Sequence, residues 1–375
     1  MKKSGKSKRL AEALFASAPK IDRSNLKADY DAWPSLAKSS WVDSQPPQLE
    51  RSYSSILFAG MGGSGIVGEL MVDLAAEQES CRIDVLKDYH LPRYYTSDTL
   101  VAGISCSGNT EETISVLNEA AKRGLDVCTF GSGGLLEKMA QTNPRVKFTK
   151  TTMLKVPRSS FPGLFYVILK FLIQNGFLKT SEEHVQDSID CLSRARDLCS
   201  KPLVKQNKAI EIALDLVETK SSLPLIYSSR RTRAVGLRFR QSLNENAKIH
   251  GYDGVIPELC HNDIVSWDFA KTAKTKKSYI SNAVPVALKL EDDPLEIKTR
   301  FQIVEDILKK AKTQFVQVPS LGTTYTSRII SMLYLLDYST YFAAILRGVD
   351  PIQTPSVDIL ETELKTRLNY LGRLT

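Results

Sequence analysis

Histidine is scarce in this chain. The four copies, His90, His184, His250 and His261, are scattered, which excludes a histidine-rich metal site. The six cysteines (Cys81, Cys106, Cys128, Cys191, Cys199, Cys260) form no CxxC pair and no zinc-type spacing. Several sit in apolar runs, as small buried hydrophobes do, so a reduced cytoplasmic chain without a metal is the expected setting. No run reaches the 18 or so apolar residues of a membrane span; the nearest, Phe161 to Phe177, is interrupted by Lys170 and Gln174. Glu12 and Pro19 break the short apolar stretch near the start, which argues against a signal peptide. Short tandem repeats are missing too.

What is present is ordinary for a globular protein: 375 residues, 42% apolar and 25% charged, enough for two or three domains or two subdomains sharing a core. Part of the +8 net charge comes from Lys2, Lys3, Lys6, Lys8 and Arg9. That cluster reads as a solvated, disordered start rather than a nucleic-acid arm, and neither nucleic acid nor membrane is an expected partner.

From about residue 53, short β-rich runs alternate with helical stretches. Ser54–Ala59 reads as a strand, followed by a glycine loop and a helix through about Glu77. Cys81–Tyr89, Thr99–Ser105, Leu125–Phe130 and Arg145–Thr149 read as further strands, with a helix over Asn109–Arg123 and a buried helix over Phe161–Asn175. A second round begins near residue 205. It has strands at Leu223–Ser228, within Lys277–Lys289 and at Gln314–Val318, and helices over Ala234–Ile249, Asp293–Lys312, Tyr325–Arg347 and from about Pro355. Such alternation predicts parallel sheets covered on both faces. Two α/β units joined across about residues 178 to 205 are the simplest account.

Two segments place small residues between a strand and a helix: Gly60-Met61-Gly62-Gly63-Ser64-Gly65 and Ser105-Cys106-Ser107-Gly108-Asn109-Thr110-Glu111-Glu112-Thr113. A helix N-terminus leaves N–H groups unpaired and partly positive, which suits an anion. Glycine lets backbone approach closely, and hydroxyls add donors. Glu111 and Glu112 complement the helix dipole. The first loop also matches the dinucleotide pattern G-x-G-x-x-G, with Asp84 near the end of the next strand as a ribose-binding acid. The second loop shifts the balance. One dinucleotide needs one cradle, whereas two hydroxyl-rich loops at the ends of neighbouring strands suit one terminal phosphate. The plain alternative for the second loop is helix capping by Ser107 or Asn109; four hydroxyl residues in nine positions exceed that need.

These loops resemble the sugar isomerase (SIS) fold. Four later segments narrow the resemblance: Lys155-Val156-Pro157-Arg158, Ser242-Leu243-Asn244-Glu245-Asn246-Ala247-Lys248, Cys260-His261-Asn262-Asp263 and Arg347-Gly348-Val349-Asp350-Pro351. With them, roughly residues 50 to 370 resemble the bifunctional phosphoglucose/phosphomannose isomerase family, found chiefly in archaea and some bacteria. Residues 1 to about 45 carry no such signal. The resemblance implies an α/β fold of two SIS-type subdomains, each a parallel sheet flanked by helices in three layers. It divides the chain into an N-terminal basic extension and helix (1–45), subdomains at 46–180 and 205–350, and a C-terminal helix (351–375) that completes the site.

The implied reaction is aldose–ketose isomerisation of hexose 6-phosphates, in which a proton moves between C1 and C2 through a cis-enediol. No metal or organic cofactor takes part. By resemblance, Gly63, Ser64, Ser105, Ser107 and Thr110 bind the phosphate, Glu245 is the base, and Arg158 stands near C1–C2. His261 shuttles a proton at the ring oxygen, a task an imidazole near its reference pKa of about 6.5 can perform. His261 is implied to come from the neighbouring subunit of a homodimer, and Thr354 to leave room for either C2 epimer. Read without the resemblance, Glu245 is an exposed acid paired with Lys248, Arg158 a surface cation, and His261 a loop histidine satisfied by Asn262 or Asp263.

One position departs from the family. A lysine is expected seven residues after Thr354, facing the sugar, and Glu361 stands there; lysine returns one helical turn later at Lys365. Either Lys365 substitutes, or the reversed charge weakens turnover. This departure favours a second reading from another class, a non-catalytic sugar-phosphate-binding regulator on the same fold. Retention of Glu245, His261 and Arg158 together favours the enzyme.

Overall fold

The run Ser55–Ala59 (SILFA) is buried at all five positions, as expected of a strand covered on both faces. In the structure, a computed structural model that describes residues 14, 16–200, 207–217, 222–268, 282–369 and 372, it is the centre of the first of two sheets. The basic cluster Lys2–Arg9 lies outside the described residues.

The chain divides into two compact units, one of residues 28–182 and 353–375, the other of residues 1–27 and 183–352. Two short helices, α1 (Leu26–Asp31) and α2 (Trp33–Asp43), precede the first sheet. Its elements alternate except where β3 follows β2 without a helix: β1 (Ser55–Ala59), α3 (Gly62–Glu77), β2 (Arg82–Leu86), β3 (Thr99–Ile104), α4 (Glu111–Lys122), β4 (Val127–Gly131), α5 (Gly134–Thr142), β5 (Val146–Lys150) and α6 (Phe161–Gln174). The strand order is β2-β1-β3-β4-β5, parallel throughout. Strands β3 and β4 are also buried along their whole length, while the edge strand β2 is half-exposed. On one side Ile114, Leu117 and Ala120 of α4 pack on Leu57, Val101 and Val127. Removing such side chains from water stabilises by about 25 cal/mol per Å², which fixes α4 on the sheet despite its polar outer face.

In the second unit α7 (Glu182–Cys199) and α8 (Lys208–Leu216) lead into β6 (Leu223–Ser229) and α9 (Arg233–Ser242). Then come β7 (Tyr252–Ile256), β8 (Ala283–Leu288), α10 (Leu295–Lys310), β9 (Val316–Gln317) and α11 (Tyr325–Arg347). Its sheet runs β7-β6-β8-β9, again all parallel. The last helix, α12 (Pro355–Leu368), belongs to the first unit and buries none of its residues.

Both sheets are parallel and flanked by helices, as the strand–helix alternation requires. Three elements were not legible, α5, β7 and α7, the last filling most of the segment read as a joiner; where one helix was expected within residues 1–45, two are present, α1 and α2. Among the described residues the helix that passes a membrane-span test by length and hydropathy is α11, rather than the Phe161–Phe177 run, and 94% of its apolar window is buried inside the fold. It is a core helix packed against α8 and α9.

Candidate active site

In the first unit, β1 and β3 are neighbours although β2 lies between them in sequence. Strand order reverses there, and in such sheets the crevice at the carboxyl ends of the two strands receives ligands. The two glycine- and serine-rich loops leave the sheet at this point, Gly60–Gly65 after β1 and Ser105–Thr110 after β3.

Neither helix that follows is capped by its own side chains. The N-cap of α3 is Met61 and that of α4 is Thr110, and neither makes a side-chain cap bond. The capping alternative therefore fails for α4. Asn109 spends its carbonyl oxygen elsewhere, accepting from the Leu135 N–H at 3.0 Å in the first turn of α5. Ser105 is wholly buried. Its Oγ accepts from the Gly108 N–H at 3.1 Å and lies 2.8 Å from Thr110 Oγ1, so it braces the loop from beneath. Ser107 and Thr110 are half-exposed at the rim, with Gly63. Gly108 has φ +75°, and a Cβ there would collide with the Gly133 carbonyl; only glycine fits. Ser64 is buried, and its Oγ accepts from the Cys106 N–H at 3.1 Å.

Arg158 is not a surface cation: it is 4% exposed, in the one-turn segment Pro157–Ser160. That turn is fastened from several sides. Trp33 Nε1 donates to the Ser159 carbonyl at 2.8 Å. The Asp29 carboxylate accepts from Ser159 Oγ at 2.8 Å and pairs with Lys155 at 2.5 Å. The Ser160 hydroxyl bonds the Cys106 thiol, whose pKa is pushed up by burial against that bond. Through Cys106 the structure brings the Arg158 turn against the second loop. Asp29 and Trp33 lie in the stretch that carried no sequence signal, and no motif marks them.

The dinucleotide alternative finds no free acid. Asp84 sits mid-strand in β2, paired with Arg82 at 2.9 Å and accepting from Tyr95 OH at 3.2 Å.

In the second unit Glu245 lies on a π-helical turn, Leu243–Ala247, that continues α9; such turns recur at functional sites. Glu245 is half-buried, and its sequence neighbours Leu243 and Asn246 are buried. Asn246 Nδ2 donates to Thr340 Oγ1 on α11 at 2.9 Å. One turn earlier Ser242 Oγ and the Arg238 guanidinium both bond Asp337. His261 is exposed, just beyond the turn Glu258–Cys260. Its proposed loop partners are engaged elsewhere: Asn262 donates to Glu258 at 3.2 Å and Asp263 accepts from Tyr252 OH at 2.5 Å. That bond, with burial behind it, pushes the Tyr252 phenol up to about 12.

The second sheet has its own reversal of strand order, between β6 and β8, but its crevice is filled from within. Arg231, just after β6, bonds Asp292 and Asp293 beyond β8, and Arg328 pairs with Asp292 at 2.5 Å. Burial raises the Asp293 carboxyl pKa. At Asp292 burial works the same way but is overcome by the Arg231 bond and charge. A cleft of about 670 Å³ beside it is lined by Lys208, Lys289, Lys298, Glu305 and Lys309 among others, and by none of the candidate residues.

On α12 the half-buried Thr354 is the N-cap, and Glu361 and Lys365 are both exposed.

Residues 205–364 match the sequence profile described as "Bacterial phospho-glucose isomerase C-terminal SIS domain". The bifunctional phosphoglucose/phosphomannose isomerase of Thermoplasma acidophilum is 30% identical over 313 residues, 84% of this chain and 90% of that one. This chain belongs to that family. The Caldicellulosiruptor bescii member is likewise 30% identical, over 82% of this chain and 89% of its own. Among solved structures, the C-terminal domain of glucosamine-fructose-6-phosphate aminotransferase from Francisella tularensis superposes with a TM-score of 0.65 at 14% identity, covering 88% of this chain and 98% of that one. That likeness concerns the fold alone.

Proposed function

We propose that the protein isomerises glucose 6-phosphate or mannose 6-phosphate to fructose 6-phosphate through a cis-enediol. The observation that carries this reading is the pair of helix starts without side-chain caps, at α3 and α4, joined by the Ser64–Cys106 bond in a chain of the isomerase family. N–H groups left open at two helix ends, with hydroxyls beside them, are a seat for a phosphate dianion.

In this reading Gly63, Ser64, Ser107 and Thr110 bind the phosphate, with Ser105 holding Thr110 in place. Glu245 takes the C–H proton and returns it at the neighbouring carbon. Arg158 stabilises the enediolate; a buried guanidinium does this better than a solvated one, because charge interactions strengthen as water is excluded. His261 moves the ring-opening proton and serves the site of the other protomer in a homodimer. Thr354 accommodates either C2 epimer; on the last helix Glu361 faces the sugar where the family has a lysine, and Lys365, one turn on, is the candidate replacement cation. No step calls on a metal or an organic cofactor. Residues 46–180 and 205–350 act as the two SIS subdomains, the segment before residue 45 as an extension, and 351–375 as the helix that completes the site. All six cysteines stand as thiols rather than disulfides, which supports a cytoplasmic setting.

A second reading, a sugar-phosphate-binding regulator without turnover, draws on Glu361. The test is a coupled assay with fructose 6-phosphate at high enzyme concentration, alongside calorimetry with the same sugar. Turnover supports the isomerase. Binding without turnover supports the regulator, and neither outcome would reject both.

A further inference from the structure

Lys248 adopts a backbone conformation that long side chains seldom take. Its φ of 54° is left-handed, a region open chiefly to glycine and asparagine. It forms the C-cap of the π-helical turn Leu243–Ala247. From there its side chain folds back onto the main chain. Nζ donates to the Glu245 carbonyl at 2.7 Å and the Asp350 carbonyl at 2.8 Å, with the Asn246 carbonyl at 3.3 Å and the Pro351 carbonyl at 3.5 Å. An ammonium has three protons, which these four carbonyls share. The end of a helical turn leaves carbonyls without partners and partly negative, so a cation there is well placed.

The opposite side of the turn is held independently. Asn246 bonds Thr340 Oγ1, Thr340 bonds the Asp337 carbonyl at 2.7 Å, and Ser242 bonds the Asp337 carboxylate. The peptide that carries Glu245 is thus gripped between buried polar groups of α11 and one ammonium. A cap alone needs the carbonyls of its own turn. The bond to Asp350, a hundred residues away in sequence, adds nothing to capping and fixes where the turn stands.

We infer that Lys248 is a positioning residue for the isomerisation. Its ammonium fixes the peptide bearing Glu245 and ties that turn to the Asp350 segment, four residues before Thr354. The inference rests on Glu245 being the base. A base must come within about 2.6–3.2 Å of the proton it takes, and a displacement of 1 Å lowers rate by about a hundredfold. Lys248 itself touches no reacting atom.

Lys248→Gly is the direct test, because glycine keeps the left-handed backbone while removing the ammonium and its stem. The expected result is a kcat lower by about a hundredfold, with KM for fructose 6-phosphate near the wild-type value and part of the loss recovered by added propylammonium. Lys248→Met, which keeps most of the stem, is expected to show the same split and guards against a glycine variant that does not fold. A wild-type kcat in either folded variant, with only the melting temperature lowered, would overturn the inference and leave Lys248 a cap. Glu245→Gln is assayed in parallel. If it retains turnover, the base assignment fails and the Lys248 inference falls with it. If it is inactive while Lys248→Gly and Lys248→Met turn over normally, the Lys248 inference alone fails.

Discussion

The Ser64 hydroxyl accepts a hydrogen bond from the Cys106 N–H at 3.1 Å, which makes one assembly of two loops that lie 42 residues apart in sequence. Ser64 keeps its own proton to donate. The two loops therefore respond to substitution differently at their buried and rim positions.

Ser107→Ala removes a rim hydroxyl and is expected to weaken phosphate or sugar-phosphate binding by about 1–3 kcal/mol, the range for a bond to a charged group, with little change in melting temperature. Ser64→Ala is expected to weaken binding and also to lower stability, because the buried Cys106 N–H loses its partner. Calorimetry and thermal melts of both variants check this; equal melting temperatures would show that the Ser64–Cys106 bond contributes nothing.

The last helix divides enzyme from regulator. If Glu361 opposes the developing enediolate, Glu361→Lys raises kcat/KM by about thirtyfold, the Coulomb effect of reversing a water-exposed charge at 4 Å, about 1 kcal/mol of repulsion removed and about 1 kcal/mol of attraction gained. If Lys365 already supplies the cation, Lys365→Ala lowers activity and Glu361→Lys adds little. Lys365 lies about 6 Å farther along the axis, so the first outcome is expected. No change in either variant, with an inactive wild type that still binds fructose 6-phosphate, would leave the regulator.

Asp187 gives a pH signature away from the site. Burial pushes its carboxyl up, but bonds from Ser327, the Thr323 N–H and Arg194 overcome this and hold it down at about 2. A depressed folded pKa adds stability that is complete above the unfolded value of about 3.9 and disappears as pH falls to about 2. Asp187→Asn should therefore melt below wild type at pH 7, with the gap closing towards pH 2. A gap independent of pH would mean that the carboxylate charge plays no part. Asp187 keeps 21% of its side chain exposed, so solvent screening trims the difference.

The Arg238–Asp337 pair is buried at both ends, 1% and 0% exposed. Asp337→Ala strands a guanidinium and leaves Ser242 unpaired, a loss of about 3–5 kcal/mol by denaturant unfolding. On α12, Arg367→Ala breaks an exposed pair with Glu363 and is expected to cost about 0.3–0.5 kcal/mol. Similar losses in the two variants would rule out burial as the cause.

The anion loops were legible because glycine and hydroxyl residues between a strand and a helix report directly on unpaired N–H groups. The central strands were legible because both their faces are apolar. β7 was not: YDGVI contains Asp and Gly, poor strand formers, and its place comes from pairing with β6. α7 escaped notice because its low apolar content reads as a connector, although Val185, Ile189, Leu192 and Ala195 bury one face. The setting of Arg158 depends on Asp29 and Trp33, and that of Glu245 on Asp337 and Thr340. Such supports act through tertiary packing, which leaves no local pattern in the chain. The reversed charge at Glu361 was plain from the sequence; that α12 buries none of its residues was not.

The Arg231 cluster gives the two halves of the chain unequal fates. In the second sheet the guanidinium meets Asp292 and Asp293, carboxylates on the same polypeptide, so they compete with any dissolved anion at an effective concentration set by a short tether, of the order of millimolar. A metabolite at micromolar level cannot displace such a resident. In the first sheet, among the described residues, no carboxylate bonds Ser64 or the N–H groups at the starts of α3 and α4, and the Glu111 carboxylate at the start of α4 is held by Tyr89 OH instead. One equivalent of phosphate per chain should therefore saturate the protein, even though the strand reversal occurs twice.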